Sequence, residues 1–392
     1  MQGSFERTVL PLSFCQALMF AGNTIVISTT ALVGAHLAPD PRMATLPMGL
    51  QFLGMVMASM PMSLLMGRCG RRAGFSLGAG LGMASGLIGA AAIVLGSFWL
   101  FGLATFVYGT YAGGSTYFRF AAAESVSPAA KGRAISWVLA GGVLAAFVGP
   151  TLADLSRDWL LPFMFAGCFL VVTMLGTAML LTVQLTRFVE PTDECRGTGG
   201  RPLAAIVSQP RFVAALASAA VGQCAMSFLM VSTPLAMLGC GLAFSDATMV
   251  VQWHVVAMFA PSFVTASLIR RFGVERVIAT GAALILACVA VNRDGLDVAN
   301  FWLGMVLLGI GWNFMFVGGT TLVTQTYAPA ERSKVEGFNE VCLFTTVVIA
   351  SSGSGALLEV AGWATMNLLV VPPVLAVAVG LLFLHRRRPQ TA

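Results

Sequence analysis

The sequence predicts an all-α integral membrane protein whose twelve transmembrane helices form two pseudo-symmetric bundles of six. The 392 residues are 57% hydrophobic and only 10% charged, whereas an average soluble domain has roughly 25% charged residues. The apolar residues recur in blocks of about 20, the length that crosses a bilayer. Two short motifs of the first half recur in the second half. Together these observations indicate a duplicated membrane protein.

Twelve apolar stretches lie between clusters of charged or turn-forming residues. Backbone groups in hydrocarbon must be satisfied within their own segment, so we expect each stretch to be a helix. The first follows Arg7 and has no small-residue cleavage pattern, which predicts a retained helix rather than a signal peptide. The predicted spans, numbered 1 to 12, are residues 9–34, 43–66, 74–95, 98–121, 134–155, 160–184, 211–235, 247–269, 276–292, 299–326, 336–358 and 363–384.

The distribution of basic residues predicts the orientation in the membrane. Most of the 22 lysines and arginines fall in loops on one side of the predicted spans. The positive-inside rule assigns that side, and both chain termini, to the cytoplasm. This topology fits a bacterial inner membrane. Anionic lipid headgroups account for the basic balance, so we expect no nucleic-acid partner.

Two motifs recur at nearly the same offset. SLLMGRCGRRAG, at residues 63–74, is echoed by ASLIRRFGVER at 266–276, and PAAKGRA at 128–134 is echoed by PAERSKV at 329–335. The first echo matches Arg68 with Arg271 and Gly70 with Gly273. Two echoes predict a duplication whose halves are parallel repeats. The predicted domains are an N-terminal bundle at 1–185, a cytoplasmic linker at 186–210 and a C-terminal bundle at 211–392.

SLLMGRCGRRAG resembles the loop between helices 2 and 3 of the major facilitator superfamily, whose pattern is roughly G-x-x-x-D-R-x-G-R-R. Arg68, Gly70, Arg71 and Arg72 match this pattern, and Gly67 stands where the family has an aspartate. On span 5, AGGVLAAFVGPTLA resembles the glycine-proline pattern of antiporters in the same superfamily. With twelve spans, the resemblance covers nearly the whole chain and implies a secondary transporter that works by alternating access.

In the superfamily this loop is a conformational latch, so the resemblance implies a gating role for it. Guanidinium groups there can pair with carboxylates and helix C-terminal carbonyls at neighbouring cytoplasmic ends. The alternative is that these arginines only anchor the topology. The glycine at position 67 favours that alternative, because the charge relay to span 11 then lacks its expected partner. The gating candidates are Arg68, Gly70, Arg71, Arg72, Arg271, Gly273 and Glu340.

The resemblance also implies a central cavity lined mainly by spans 1, 4, 7 and 10, where polar and aromatic residues concentrate in this sequence. The lining of amides, hydroxyls and rings suits a small, partly aromatic or amphiphilic organic solute. The spacing on span 4 predicts that Tyr108, Tyr111, Ser115 and Arg119 share one helix face. The substrate-binding candidates are Gln16, Asn23, Tyr108, Tyr111, Ser115, Arg119, Gln223, Ser227, Trp312, Asn313 and Phe316.

Arg119 is the sharpest single clue among these candidates. An arginine within a membrane span is a functional candidate by default, and its guanidinium can hold a carboxylate or phosphate of the solute. The alternatives are that Arg119 reaches the cytoplasmic face or pairs with Glu124.

The direction of transport stays open at this point. The glycine-proline pattern of span 5 favours proton-linked export of drug-like compounds. Arg119 favours an anionic nutrient, vitamin or metal chelate that is imported. The proton-coupling candidates are His254, which lies within a span and could titrate near neutral pH, and Asp154 near the outer end of span 5.

Other classes of function have little support in the sequence. No P-loop, H-E-x-x-H or G-x-S-x-G motif occurs, so we predict neither an enzyme nor a cofactor or metal site. A non-transporting receptor or scaffold on the same fold is a further alternative. The expected partners are a small-molecule substrate, the lipid bilayer and, if transport is proton-linked, protons. We expect a monomer.

Overall fold

A computed structural model describes residues 5–40, 43, 46–188 and 200–386, and every regular element within these ranges is helical. The first element is a π-helical turn at Phe5–Val9. The α-helices follow as α1 Leu10–Leu37, α2 Leu46–Cys69, α3 Arg71–Val94, α4 Phe98–Ser115, α5 Phe118–Glu124, α6 Lys131–Ser156, α7 Ala166–Leu185, α8 Leu203–Val207, α9 Pro210–Gly239, α10 Phe244–Phe259, α11 Ser262–Phe272, α12 Val274–Asp294, α13 Val298–Val323 and α14 Arg332–Arg386.

The predicted membrane fold is confirmed. Among the described residues, nine helical stretches are long and apolar enough to cross a bilayer. A tenth span is a broken one, in which Met249–Phe259 and Ser262–Phe272 meet at an angle of 42°. Pro261 lies at this break and has no N–H to continue the helical ladder. The chain is therefore a multi-pass integral membrane protein.

The remaining two predicted spans, 98–121 and 336–358, are helical but are not among the stretches that meet this test within the described residues. The prediction that 98–121 is one continuous helix is wrong, because α4 ends at Ser115 and α5 begins at Phe118. The sequence Gly-Gly-Ser-Thr at this break favours it, since glycine is a poor helix former and the hydroxyls compete for backbone acceptors. Ser115 donates to the carbonyl of Tyr111 at 2.9 Å, and Thr116 donates to that of Gly113 at 2.8 Å.

The predicted spans 11 and 12 lie within α14, which changes direction at Gly362. The backbone of Gly362 has φ 75° and ψ 166°. A Cβ added there would meet no atom within 4 Å. The backbone conformation, and not a lack of space, is therefore what requires glycine at this position.

The chain divides into two compact units. The first comprises Met1–Ser127, Trp137–Gly200 and Ala328–Phe344, and in it α4 packs on α2 and α3 while α3 packs on α7. Glycines bring α4 onto α2, since a Cβ at Gly109 would lie 1.9 Å from the carbonyl oxygen of Gln51. Small residues are the usual means by which membrane helices approach this closely.

The second unit comprises Pro128–Ser136, Arg201–Tyr327 and Thr345–Ala392. Its central helix is α13, which packs on α9, α10 and α12. Close approach again depends on glycine, because a Cβ at Gly281 of α12 would lie 2.7 Å from the carbonyl oxygen of Gly311 on α13.

Both sequence echoes have matching local backbone in the structure. Gly70 precedes α3 with φ 89° and ψ 161°, and Gly273 precedes α12 with φ 89° and ψ 152°. Pro128–Ala130 and Pro329–Glu331 are both 3-10 turns directly before a long helix. These matches agree with a duplication.

The predicted domain boundaries, 1–185, 186–210 and 211–392, stay a prediction. The first unit also takes in Ala328–Phe344 of the second half, and the second unit takes in Pro128–Ser136 of the first half. Residues 189–199 of the predicted linker lie outside the described residues.

We expect the substitution Gly273→Ala to lower the free energy of unfolding by about 1–3 kcal/mol, because φ 89° with ψ 152° is a conformation that only glycine adopts easily. The nearest atom to the added Cβ would be 3.9 Å away, so steric crowding is not the cause. The measurement is the thermal unfolding midpoint of the purified protein in detergent.

The matched control is Gly80→Ala, an exposed position inside α3 where an added Cβ meets nothing within 4 Å. This variant should unfold at the wild-type temperature or slightly above it, because alanine favours helix over glycine. Equal midpoints for both variants would contradict the proposed role of the backbone at Gly273.

Candidate functional site

A network of buried and half-buried charges occupies one part of the first unit. We call it the charge cluster; its members are Arg71, Arg119, Arg332, Glu124, Glu336 and Glu340. Three guanidinium groups therefore face three carboxylates. Because the two kinds of charge are equal in number, the ionised cluster has no net charge.

Arg71 is the centre of the larger part of the cluster. Its Nη2 lies 2.5 Å from Oε1 of Glu124 and 2.6 Å from Oε2 of Glu336. Arg332 contacts the other oxygen of Glu124 at 2.9 Å. The Arg71 guanidinium also lies over the ring of Tyr117, 5.9 Å from its centroid. A buried arginine with this set of partners is held in one position.

Arg119 forms the second part of the cluster with Glu340. Arg119 Nη2 lies 2.5 Å from Glu340 Oε1, and the two side chains are only 4% and 1% exposed. Asn339 donates to the same oxygen at 2.8 Å, and Arg119 donates through Nη1 to the carbonyl of Thr116 at 3.2 Å. The guanidinium is thus engaged within the unit.

This geometry shows that the alternative pairing of Arg119 with Glu124 is wrong, whereas the alternative that Arg119 reaches the cytoplasmic face stays a prediction. Glu124 is the partner of Arg71 and Arg332, and Arg119 binds Glu340 instead. The break after Ser115 places Arg119 on α5, whereas Tyr111 and Ser115 lie on α4.

Sequence reasoning missed three members of the cluster as functional residues: Arg332 and Glu336 entirely, and Glu124 as the partner of Arg71. One available signal is the spacing of Glu336 and Glu340, which are four residues apart and share a face of α14. No local pattern connects them to arginines that lie more than two hundred residues earlier.

The structure also corrects the expectation for Gly67. A Cβ at Gly67 would lie 2.0 Å from the hydroxyl of Ser333, so the family's aspartate would not fit there without a shift. Ser63 donates to the carbonyl of Ser333 at 2.8 Å, which adds to this close contact. Arg71 nevertheless has a partner at the start of α14, namely Glu336.

The other gating candidates contribute less to this pairing. Arg68 and Arg271 are exposed. Arg72 is exposed too, and its Nη2 donates to the carbonyl of Thr186 at 3.0 Å, just beyond the end of α7. Gly70 and Gly273 provide the positive φ that starts α3 and α12. The gating role of all these residues stays a prediction.

The span 4 candidates for solute binding are buried inside the first unit. The Tyr108 hydroxyl donates to the carbonyl of Met19 at 3.2 Å, and the Tyr111 hydroxyl contacts the sulfur of Met179 at 3.3 Å. The two rings meet edge to face at 5.3 Å. Their polar atoms are used within the unit.

The two solute-binding candidates of predicted span 1 are side-chain amides. Gln16 is buried and Asn23 is half-buried, and both are on α1. Asn23 Oδ1 accepts a hydrogen bond of 3.0 Å from Nε2 of Gln51 on α2. Gln51 was not a sequence candidate, because it lies in a run of apolar and methionine residues.

In the second unit, the candidates form an aromatic group. Trp312 and Phe316 stack with ring centroids 4.9 Å apart and planes inclined by 16°. Phe259 meets the Trp312 ring edge to face at 5.8 Å. The Trp312 indole N–H donates to Oε1 of Gln223 at 2.7 Å. Ser227, one turn further along α9, is buried.

Asn313 uses its amide to hold the broken span together. Nδ2 donates to the carbonyl of Met258 and to the hydroxyl of Ser262, both at 2.7 Å. Oδ1 accepts from the hydroxyl of Thr265 at 2.8 Å. These bonds join α13 to both sides of the bend between α10 and α11.

The two proton-coupling candidates have different surroundings. His254 is fully buried, and its Nδ1 donates to the carbonyl of Met305 at 2.7 Å. The Asp154 side chain is 74% exposed and lies 3.4 Å from Arg157. Neither residue belongs to the charge cluster, and a coupling role for either stays a prediction.

Comparison with known proteins agrees with this architecture. The family profile of the Major Facilitator Superfamily matches residues 12–292 and 255–392. Riboflavin transporter RfnT of Brucella anthropi is 42% identical over 389 residues, which are 99% of this chain and 97% of that protein. An uncharacterised MFS-type transporter, YddS of Bacillus subtilis, is 27% identical over 401 residues, covering 95% and 91% of the two chains.

Two solved structures show the same fold. The human organic anion transporter MFSD10 matches with a TM-score of 0.79 and 13% identity, covering 96% of this chain and 99% of its own. The fucose:proton symporter FucP of E. coli matches with a TM-score of 0.75 and 15% identity, covering 98% of each chain.

We expect Arg119→Gln and Glu340→Gln each to lower the free energy of unfolding by about 3–5 kcal/mol, because each leaves its buried partner without a counter-charge. The double variant should be more stable than either single variant, since two amides can hydrogen-bond without a buried charge. Thermal unfolding in detergent measures all three.

The control for this pair is Asp154→Asn, which removes a charge from an exposed ion pair. Its unfolding midpoint should match that of the wild type, because exposed pairs contribute little. Strictly additive losses in the Arg119 and Glu340 double variant would show that the two side chains are not coupled.

Proposed function

The chain belongs to the Major Facilitator Superfamily of secondary transporters, and we propose that it carries riboflavin into the cell. The observation that supports this proposal is the 42% identity to a riboflavin transporter over 99% of this chain. Riboflavin has a flat tricyclic ring with carbonyl groups and a polyhydroxylated side chain. Riboflavin therefore belongs to the class of small, partly aromatic organic solutes that the sequence predicts.

The polar and aromatic candidates have the chemistry that such a solute requires. We propose that Trp312 and Phe316 contact the flat ring, since stacked aromatic side chains favour a planar neighbour. Gln223 keeps the Trp312 ring in place through its hydrogen bond. In the first unit, the amides of Gln16 and Asn23 suit carbonyl and hydroxyl groups of the solute.

The balanced charge cluster favours an uncharged solute. Riboflavin is neutral at pH 7, and Arg119 is already paired with Glu340. The earlier alternative, in which Arg119 clamps the carboxylate or phosphate of an anionic nutrient or a metal chelate, thereby loses its main support. We propose a gating role for Arg119 and Glu340 together with Arg71, by a change of partners during alternating access.

We propose uptake rather than export. The export alternative rested on the glycine-proline pattern of span 5. Packing accounts for its glycines, because a Cβ at Gly141 would lie 2.3 Å from the carbonyl oxygen of Ser13 and one at Gly149 would lie 2.8 Å from Thr24. A vitamin is a compound that cells gain by importing. Proton coupling, a bacterial inner membrane location, cytoplasmic termini and a monomeric state are further parts of this proposal.

The first test is uptake by a bacterial strain that cannot synthesise riboflavin. Expression of the chain should allow growth at low external riboflavin and accumulation of the radiolabelled vitamin. Cells carrying the empty vector provide the baseline. Uptake equal to that baseline would overturn the proposal, and faster loss of preloaded riboflavin would indicate export.

A pair of matched arginine variants in the same assay addresses gating. Arg71→Met should slow uptake by about tenfold or more, because it removes the buried guanidinium that Glu336 and Glu124 share, and Glu336 is itself buried. Arg270→Met removes an exposed arginine in the last turn of α11, which is not among the gating candidates, and should retain wild-type uptake. Immunoblots of the membrane fraction correct for differences in protein amount, and equal rates for both variants would contradict the gating role of Arg71.

A further inference from the structure

Gln51 and Asn23 form a pair of amides between α2 and α1. Gln51 is fully buried, and its Nε2 donates to Asn23 Oδ1 at 3.0 Å. The other polar side-chain atom of Gln51, Oε1, has no hydrogen-bond partner among the residues that the structure describes. Buried amides in a membrane protein are costly unless they are satisfied. Burying this pair therefore destabilises the folded protein relative to apolar side chains at the same two positions.

The surrounding helices fix the pair in place. Gly109 of α4 packs directly on the backbone carbonyl of Gln51, where a Cβ would lie 1.9 Å from the oxygen. The neighbouring Tyr108 donates its hydroxyl to the carbonyl of Met19 on α1 at 3.2 Å. A Cβ at Gly22 would lie 3.0 Å from that same hydroxyl. Three helices thus meet at the level of the amide pair.

The hydrogen bond determines which end of Asn23 is available. An asparagine side chain has one oxygen that accepts and one NH₂ group that donates. The oxygen is bound by Gln51. Within the described residues, the Nδ2 group of half-buried Asn23 has no protein acceptor. Asn23 therefore has an N–H donor to offer, and the matching group on a ligand is an oxygen.

We infer that Gln51 is a positioning residue for solute specificity, which orients Asn23 so that its Nδ2 donates to a carbonyl or hydroxyl oxygen of the transported molecule. This inference rests on the proposed function, and riboflavin has oxygens of both kinds. Without Gln51, the Asn23 amide can rotate and present either end, so the preference for an acceptor on the solute is lost.

A double-mutant cycle tests this inference in the purified full-length protein. Riboflavin binding is followed by quenching of its own fluorescence in Gln51→Met, Asn23→Ala and the double variant. Each single substitution should raise the Kd for riboflavin about tenfold. The Kd of the double variant should be no higher than that of Asn23→Ala alone. This non-additivity follows because Gln51 acts only through Asn23.

Two further variants distinguish positioning from general stability. Gln184→Met removes an exposed amide of the same unit, which donates to the hydroxyl of Ser76 at 2.8 Å, and should leave the Kd unchanged. Gln51→Glu keeps an acceptor but has no donor for Asn23 Oδ1. Asn23 should then turn its Nδ2 to the carboxylate, and riboflavin binding should weaken at least as much as in Gln51→Met. This variant also serves if Gln51→Met does not fold.

The outcomes separate this inference from the proposal on which it rests. If the wild type binds riboflavin but the effects at positions 51 and 23 are additive, or Gln51→Met and Gln51→Glu bind normally, the inference is wrong and the proposed function stands. If the wild type does not bind riboflavin, the proposed function is overturned, and this inference with it.

Discussion

The pairing of three arginines with three glutamates, four of them buried, is the interaction on which the rest of the first unit depends. A charge removed from water is costly, and only close pairing with further hydrogen bonds offsets that cost. Each member therefore has to be held in position by the backbone. Gly70 starts α3 so that Arg71 enters the cluster. The turn after Ser115 places Arg119 opposite Glu340.

The same constraint accounts for features that otherwise look like departures from the family pattern. Gly67 replaces an aspartate, and the space that a side chain would need is filled by Ser333. The carboxylates come instead from Glu124 and Glu336. Arg71 of this loop is thus paired with two glutamates, although the aspartate of the family pattern is missing. Neutrality within the cluster is the reason why we propose an uncharged solute.

Much of the fold could be predicted from the sequence, because helix formation in a membrane depends on local properties. Apolar length and the need to satisfy backbone groups within each segment predicted the spans. The repeated glycine of the arginine loop was recognised from sequence, and Gly70 and Gly273 have nearly the same backbone angles. Local apolar patterns were misleading where glycines and side-chain hydroxyls interrupt a helix, as between Ser115 and Phe118.

The site was less predictable, because its contacts join distant parts of the chain. Arg119 and Glu340 were both recognised, but as a solute clamp and as a latch partner, since nothing in the sequence shows that residues 221 positions apart are paired. Gln51 was missed for a similar reason. A single amide in an apolar run carries no signal until its contact with Asn23 is seen. Pairing across helices is the information that a single sequence lacks.

The most direct test of this account compares riboflavin with flavin mononucleotide, its phosphate ester, for binding to the purified protein at neutral pH. Both have the same ring and differ in a terminal negative charge. Because the three arginines of the cluster are paired, riboflavin should bind at least about tenfold more tightly. Equal or tighter binding of the phosphate ester, lost in Arg119→Gln, would contradict the account and identify Arg119 as an anion clamp.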